Sequence, residues 1–309
     1  MTTVDTRDTR DARHPAAPHT GITGWSGRTI VAVLTAIFVL FFVVPLVWLL
    51  LATTKSAHGL IVDNPLRPGS VGDLTANWRQ LFDFQDGAVT TWVANSALYA
   101  LGALVITLVA SIPAGYALAL TEFRLRRLLL VLTLVVMLMP STALVLPIFL
   151  EVNLLGLVGN PLSVILPMSF FPFGVYLTYI YFSTSIPRDL LAAARIDGCG
   201  EFQVFTTVAL PLAAPIVALV AFFSFVQSWN NFFLPFVMLP ESDGYPIQVG
   251  LTSLLASTPA FNPSSAGTQS VQLPTLALAT VISVLPVLVV FLFSQRFLVA
   301  GMTAGGTKE

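Results

Sequence analysis

The chain has 309 residues, of which 56% are hydrophobic and only 9% charged, and its mean hydropathy is +0.86. A water-soluble domain carries about 25% charged residues, so charges this sparse cannot cover a soluble fold of this length, and the composition places the chain in a membrane. The net charge of −1 is neutral on a nucleic-acid partner and no basic patch suggests one, while the single cysteine, Cys199, excludes an intrachain disulfide.

Residues 1–29 alternate Thr, Asp and Arg before Pro-rich spacing, and read as a disordered tail. Residues 30–52 form the first apolar run. A spanning helix needs about 20 apolar residues; this run is too long for a signal-peptide core and lacks a small-residue cleavage site, so it reads as a retained span. Residues 53–90 are mixed and read as an external loop. Within it Leu74, Trp78 and Leu81 are spaced for one side of a short amphipathic helix. A core region, 91–297, then holds five more spans, at about 91–120, 128–150, 161–184, 212–238 and 273–295, with connections at 121–127, 151–160, 185–211 and 239–272. Residues 298–309 read as a second tail. The expected fold is an all-α membrane protein with six transmembrane helices.

Lys and Arg set the orientation. With the N-terminus inside, 11 of the 14 fall in cytoplasmic parts, and only Lys55, Arg67 and Arg79 fall outside. Both termini and the 185–211 connection are then cytoplasmic. No ionisable residue lies in the middle of a span, which argues against a proton relay, since a central charge costs about 2.5–3.5 kcal/mol or more and is kept for function. His14, His19 and His58 all lie outside the apolar runs. Prolines recur within spans (Pro45, Pro113, Pro140, Pro147, Pro167, Pro172, Pro235 and Pro286) and predict kinks whose freed carbonyls need partners. The pairs Ala110/Ala114 and Gly115/Ala119 predict close helix contact.

Between the fourth and fifth spans lies the most informative connection, PRDLLAAARIDGCGEFQVFTTVALPLAAP from Pro187 to Pro215. Pro187 suits a first helical turn, Asp189 complements the helix dipole there, and Gly198 after Asp197 suits the left-handed conformation that ends helices. A second short helix, with Phe202, Phe205 and Val208 spaced for one side, leads into Leu210-Pro211. The fifth span contains Trp229, Asn230 and Asn231, polar or amphipathic groups in an apolar segment. Buried amides need partners, and two readings stand side by side: hydrogen bonds between helices, or the lining of a solute path.

A phosphate-binding loop requires Gly-Lys-Ser/Thr after a glycine-rich turn, and the only lysines, Lys55 and Lys308, each follow Thr. No metalloprotease, nucleophile-elbow or Cys/His ligand pattern appears either, so the chain has no visible enzymatic site, no cofactor of its own and no metal site.

The Pro187–Pro215 stretch resembles the cytoplasmic "EAA" loop of the permeases of binding-protein-dependent ABC importers: Ala193, Ala194, Asp197, Gly198, Leu210 and Pro211 match its pattern. The family's Glu position holds Ala192, and its usual Ala after the Gly holds Cys199. The segment SWNNFFLP from Ser228 is similar to a Trp-Asn-acid-Phe segment of sugar-importer permeases, with Asn231 at the acid position. QRFLVAGMTAGGTKE from Gln295, YPIQVGLTSL from Tyr245, NWRQLF from Asn77 and NSALYA from Asn95 resemble segments of the maltose-type carbohydrate branch. The resemblance implies a type I importer permease fold. It implies a coupling helix carried by Arg188, Asp189, Ala192, Ala193, Ala194, Arg195, Asp197 and Gly198, and a path that includes Trp229, Asn230 and Asn231. It also implies a second homologous permease subunit, two ATPase subunits holding ATP and Mg, an extracytoplasmic solute-binding protein, and a sugar or oligosaccharide as cargo. The alternatives are import of another small polar solute, or an ion-coupled secondary transporter.

Overall fold

The computed structural model describes residues 25–267 and 270–303, and among these every regular element is helical. The two expected tails therefore lie largely outside the described residues, as do Arg7, Arg10, Arg13, His14, His19 and Lys308. The chain divides into two units, residues 1–48 and 49–309. The described part of the first is most of helix α1 (Trp25–Ala52), an apolar helix containing Pro45 whose apolar side chains from Ile30 to Trp48 are exposed.

The second unit opens with two short capped helices. Ser56 accepts a hydrogen bond from the Gly59 amide to start α2 (Ala57–Val62), and Ser70 accepts from the Asp73 amide to start α3 (Val71–Asp83). The Ser70 hydroxyl also donates to Asp73 Oδ2 at 2.7 Å, so cap and first-turn acid hold each other. The buried face of α3 carries Asn77 and Leu81, whereas Trp78 is exposed and stacks on Phe82. This corrects the expected Leu74/Trp78/Leu81 face. Asn77 is buried because its amide has work there: it donates at 2.9 Å to the carbonyls of both Thr53 and Lys55. Buried Lys55 donates in turn to Asn64 O at 2.7 Å.

Helix α4 (Ala88–Leu120) is the post around which the unit is built. At 1.5 Å per residue it is about 50 Å long. It contributes Val89, Trp92 and Ala100 to one buried cluster, Tyr99 and Ala103 to a second, and Ile112, Tyr116 and Ala119 to a third. Gly115 permits its close approach to a later helix: a Cβ there would lie 2.5 Å from Thr178 Cβ. Of the two expected small-residue pairs, Gly115/Ala119 is buried, but Ala110 is exposed.

The third apolar segment is broken rather than merely kinked. α5 (Arg126–Met137) and α6 (Ser141–Leu154) meet at 107°, with Pro140 at the break. α7 (Leu162–Ser169) and α8 (Pro172–Thr184) are likewise separate, Pro172 occupying the first helical position of α8. After α9 (Arg188–Ile196) and α10 (Glu201–Val204), a π-helical turn over Phe205–Ala209 runs into α11 (Leu210–Leu212). The extra residue in that turn changes the expected facing: Val204 and Ala209 are buried, Phe205 and Val208 are half-buried, and Phe202 is exposed.

α12 (Ala214–Trp229) and α13 (Phe233–Met238) are separated at Asn230–Phe232. The following connection hides a further helix, α14 (Ile247–Ala256), packed against α4 so tightly that a Cβ on Gly250 would lie 2.1 Å from the Trp92 ring. The turn before α14 is fastened to α4 by a stripe at helical spacing. Trp92 Nε1 donates to Ser242 O (2.8 Å), Asn95 Nδ2 to Asp243 O (2.6 Å) and Tyr245 O (3.1 Å), and Tyr99 Oη to Gly244 O (2.8 Å). Ser96 Oγ accepts from the Ile247 amide at 2.8 Å. The last helix, α15 (Leu273–Thr303), contains Pro286. By length and composition the described residues hold four helices able to cross a membrane, or six if each of two bent pairs, α5 with α6 and α10–α11 with α12 (bent by 78°), is one span.

Candidate functional site

Two places gather the residues singled out from the sequence. The first is the loop around α9. Pro187, with φ −64° and ψ 121°, is the N-cap; Asp189 lies in the first turn and Arg195 in the last, each where its charge complements the helix dipole. Gly198 has φ +88°, in the left-handed region that favours glycine. The Gly198 amide donates to Arg195 O (3.1 Å) and the Cys199 amide to Ala194 O (3.0 Å). This pair of bonds defines a Schellman ending, in which the residue after the glycine packs on the residue three from the helix end. Here those residues are Cys199 and Ala194, both half-buried against one apolar cluster. Cys199 thus fills, as a small apolar side chain, the place where Ala is usual.

Leu191 and Val204 are fully buried and anchor the loop to the body of the fold. Arg188, Asp189, Ala192, Ala193, Arg195 and Asp197 are exposed. So are two large apolar side chains flanking the turn, Ile196 at 85% and Phe202 at 80%. Arg195 Nη2 lies 2.6 Å from Glu201 Oε1, and Tyr116 Oη of α4 donates to Glu201 Oε2 at 3.3 Å. The hydrogen bond that Arg195 donates to Glu201 raises the Arg195 pKa above its ordinary value, more than desolvation lowers it. Glu201 and Tyr116 were not singled out from the sequence. Their pairing joins residues far apart in the chain, and no local pattern marks it.

The second place is a cavity of about 640 Å³. The three helix breaks, α5–α6, α7–α8 and α12–α13, all reach its wall through residues such as Met139, Ser141, Phe170, Pro172, Asn231 and Phe232. Non-helical backbone at membrane depth is tolerated where it is buried in protein or lines a cavity, which accounts for the coincidence. Asn230 and Asn231 line this wall; Trp229 does not. Trp229 is buried, stacks on Phe225 with ring centroids 5.6 Å apart, and donates from Nε1 to Ser283 O of α15 at 2.9 Å. Asn230 Nδ2 donates within its own helix to Val226 O (3.0 Å), and Asn231 Oδ1 accepts from the Leu234 amide (3.3 Å) at the start of α13. Of the two readings of this segment, the tryptophan makes the helix-to-helix bond and the asparagines face the cavity. Gln227, one turn earlier, also lines it and was missed, since a lone Gln in an apolar run carries no spacing signal. No group of three or more potential metal ligands occurs among the described residues.

Broken apolar helices around a cavity, with a capped loop that presents exposed apolar side chains, fit an integral-membrane transport subunit. Residues 111–304 match the family model described as "Binding-protein-dependent transport system inner membrane component", and the chain belongs to that family. It is 35% identical to the arabinooligosaccharides transport system permease protein AraQ of Halalkalibacterium halodurans, over 72% of this chain and 75% of that one. It is 30% identical to the diacetylchitobiose uptake system permease protein NgcG of Streptomyces coelicolor, over 86% and 83%. A crystal structure of a bacterial ABC transporter involved in the import of the acidic polysaccharide alginate contains a chain that superposes with a TM-score of 0.76 at 26% identity, covering 88% of this chain and 98% of that one. The chain is therefore a multi-pass membrane permease with the type I importer fold, as the resemblance implied.

Proposed function

We propose that this chain is one of two permease subunits of an ATP-driven importer for a sugar or oligosaccharide, with both termini and the α9 loop on the cytoplasmic side. The relatives named above support the carbohydrate class, and the distribution of Lys and Arg supports the orientation. A second permease, two ATPase subunits that bind ATP and Mg, and an extracytoplasmic solute-binding protein complete the assembly. The chain contributes no nucleotide site or cofactor of its own. The α9 loop is the ATPase dock, formed by Arg188, Asp189, Ala192, Ala193, Ala194, Arg195, Asp197 and Gly198. The path runs past Asn230 and Asn231, with Trp229 holding α12 to α15 behind them.

The observation that carries this reading is the pair Ile196 and Phe202, almost fully exposed on a loop whose backbone is closed by its own caps and whose base is pinned by Leu191 and Val204. Large apolar side chains presented from a rigid base are what a partner's groove takes up. In the transport cycle, ATP closes the ATPase pair, the docked loop moves with it, and the spans open outward; hydrolysis resets them. The coupling consists of the difference in contact energy between the two states. The test is ATP-dependent uptake by the reconstituted complex, together with disulfide or bifunctional crosslinking from Ile196→Cys in a Cys199→Ala background. Crosslinking to the ATPase subunit is expected. Uptake that survives ATP depletion, or position 196 labelled only from the cell exterior, would sink the reading.

A further inference from the structure

The cavity at the three helix breaks has a chemical character that limits what it can hold. None of its lining residues is ionisable. Its polar side chains are neutral: Ser141, Thr142, Gln227, Asn230 and Asn231. After internal bonds are counted, both hydrogen-bonding senses remain open. Asn231 uses its oxygen on the Leu234 amide and keeps Nδ2 free; Asn230 uses Nδ2 on Val226 O and keeps its oxygen free; exposed Gln227 keeps its whole amide. The remaining wall is mainly apolar and aromatic, with Phe170 and Phe233 exposed towards open space.

A hydroxyl group both donates and accepts, so amides that offer both senses match it, whereas a cation offers only donors and a carboxylate only acceptors. Apolar rings suit the C–H faces of a saccharide, in the usual pattern of a mostly apolar site with a few placed polar groups. A carboxylate or sulfonate entering here would leave water without a counter-charge, and an unpaired buried charge is strongly disfavoured. Resting on the importer reading above, we infer that this chain's wall of the path is a subsite for an uncharged saccharide, gripped through the amides of Gln227 and Asn230, and that it makes no provision for acidic sugars. The alginate importer among the structural neighbours handles an acidic polysaccharide; this wall offers such a cargo no positive charge.

The test is saturation-transfer NMR on the whole permease–ATPase complex in nanodiscs, without the solute-binding protein, so that the binding protein's own selectivity does not intervene. The neutral probes are maltotriose, arabinotriose and diacetylchitobiose, and the acidic probe is trigalacturonate. At least one neutral probe should give saturation transfer that falls about threefold or more, roughly 0.7 kcal/mol, in both Gln227→Ala and Asn230→Ala. Any trigalacturonate signal should be unchanged by the two substitutions. Thermal midpoints and subunit composition measured alongside show whether each variant is assembled, and if one fails to assemble the other decides. The inference is overturned if no neutral probe binds, if neutral binding ignores both substitutions, or if trigalacturonate binding depends on them equally. ATP-dependent uptake by the same complex judges the importer reading separately, so the two can fail independently.

Discussion

The two turns gripped by α4 are built in opposite ways. Near its first turns, Trp92, Asn95, Ser96 and Tyr99 hold the backbone of residues 242–247 through five hydrogen bonds from one face of the helix. Near its other end, about 30 Å along the axis at 1.5 Å per residue, α4 touches the α9 loop with one polar side chain, Tyr116, through Glu201. That loop satisfies its backbone internally, through the Schellman bonds at Gly198 and Cys199. The first turn is thus part of the bundle and moves only with α4. The second is a self-contained knob with its own caps, anchored by Leu191 and Val204, and a partner can push it as one body. A force applied to the knob reaches the bundle through those two buried side chains and the Tyr116–Glu201–Arg195 joint.

The bundle-like turn is expected to break most severely. Gly250→Val would place a branched side chain where even a Cβ lies 2.1 Å from the Trp92 ring, forcing the indole off the Ser242 carbonyl. Overpacking and the orphaned carbonyl together cost about 2–5 kcal/mol. The expected outcome is a strong loss of folded protein in detergent, read as yield and thermal midpoint. A variant that melts like wild type would mean that the turn at 242–247 is held by something other than the α4 stripe.

The self-capped knob should instead fail in function while remaining folded. A Cβ at Gly198 meets nothing within 4 Å, so space is not the constraint; the φ of +88° is. Holding a β-branched residue there costs of order 1–3 kcal/mol, enough to weaken docking about tenfold. Gly198→Val should insert normally, hydrolyse ATP without matched uptake, and show reduced ATPase crosslinking from position 196. Gly198→Asn should recover much of the uptake, because Asn tolerates left-handed backbone. Equal loss in both variants would show that bulk, not backbone conformation, is what the dock rejects.

The same contrast explains what could be read from the chain in advance. Pro187, Asp197 and Gly198 act within a few residues of themselves, so their pattern announces the knob, and the apolar runs announce the spans by length alone. The α4 stripe joins residues about 150 positions apart, and neither Asn95 nor Tyr99 carries a local sign of its partner. Likewise Pro140, Pro172 and Pro235 each predict a kink, but only folding places the third break at Asn230–Phe232 and brings all three to one cavity. Helix α14 was invisible for a related reason: Ile247–Ala256 is too short for a span, and its core face is defined by Trp92, far away in sequence. A regular 3.6-residue period puts Phe202 on the packing side, but the π turn at Phe205–Ala209 shifts the register and Phe202 is exposed.

A smaller effect is expected from removing one strand of the outer fastening. Tyr99→Phe deletes the bond to Gly244 O while keeping the ring in its buried cluster. The net loss for one such bond is about 1 kcal/mol, visible as a modest fall in thermal midpoint with uptake nearly intact. Asn95→Ala, which removes two bonds, should fall further. If Tyr99→Phe alone abolished uptake, the stripe would be part of the moving gate rather than a fixed fastening.

The smallest expected effect tests whether charge holds the knob at all. Glu201→Gln keeps an oxygen for the Tyr116 hydroxyl but removes the negative partner of Arg195. The two side chains are 41% and 48% exposed, and exposed pairs contribute about 0–1 kcal/mol after solvent screening. Stability should therefore change by less than about 1 kcal/mol, and uptake should drop only modestly, with the difference shrinking as salt is raised. The buried contacts of Leu191 and Val204 do not depend on salt in this way, so a small, salt-sensitive loss assigns the grip on the knob to apolar packing. A loss as large as that of Gly198→Val, persisting at high salt, would assign it to the Arg195–Glu201–Tyr116 joint, and the knob would then be steered by α4 rather than merely seated beside it.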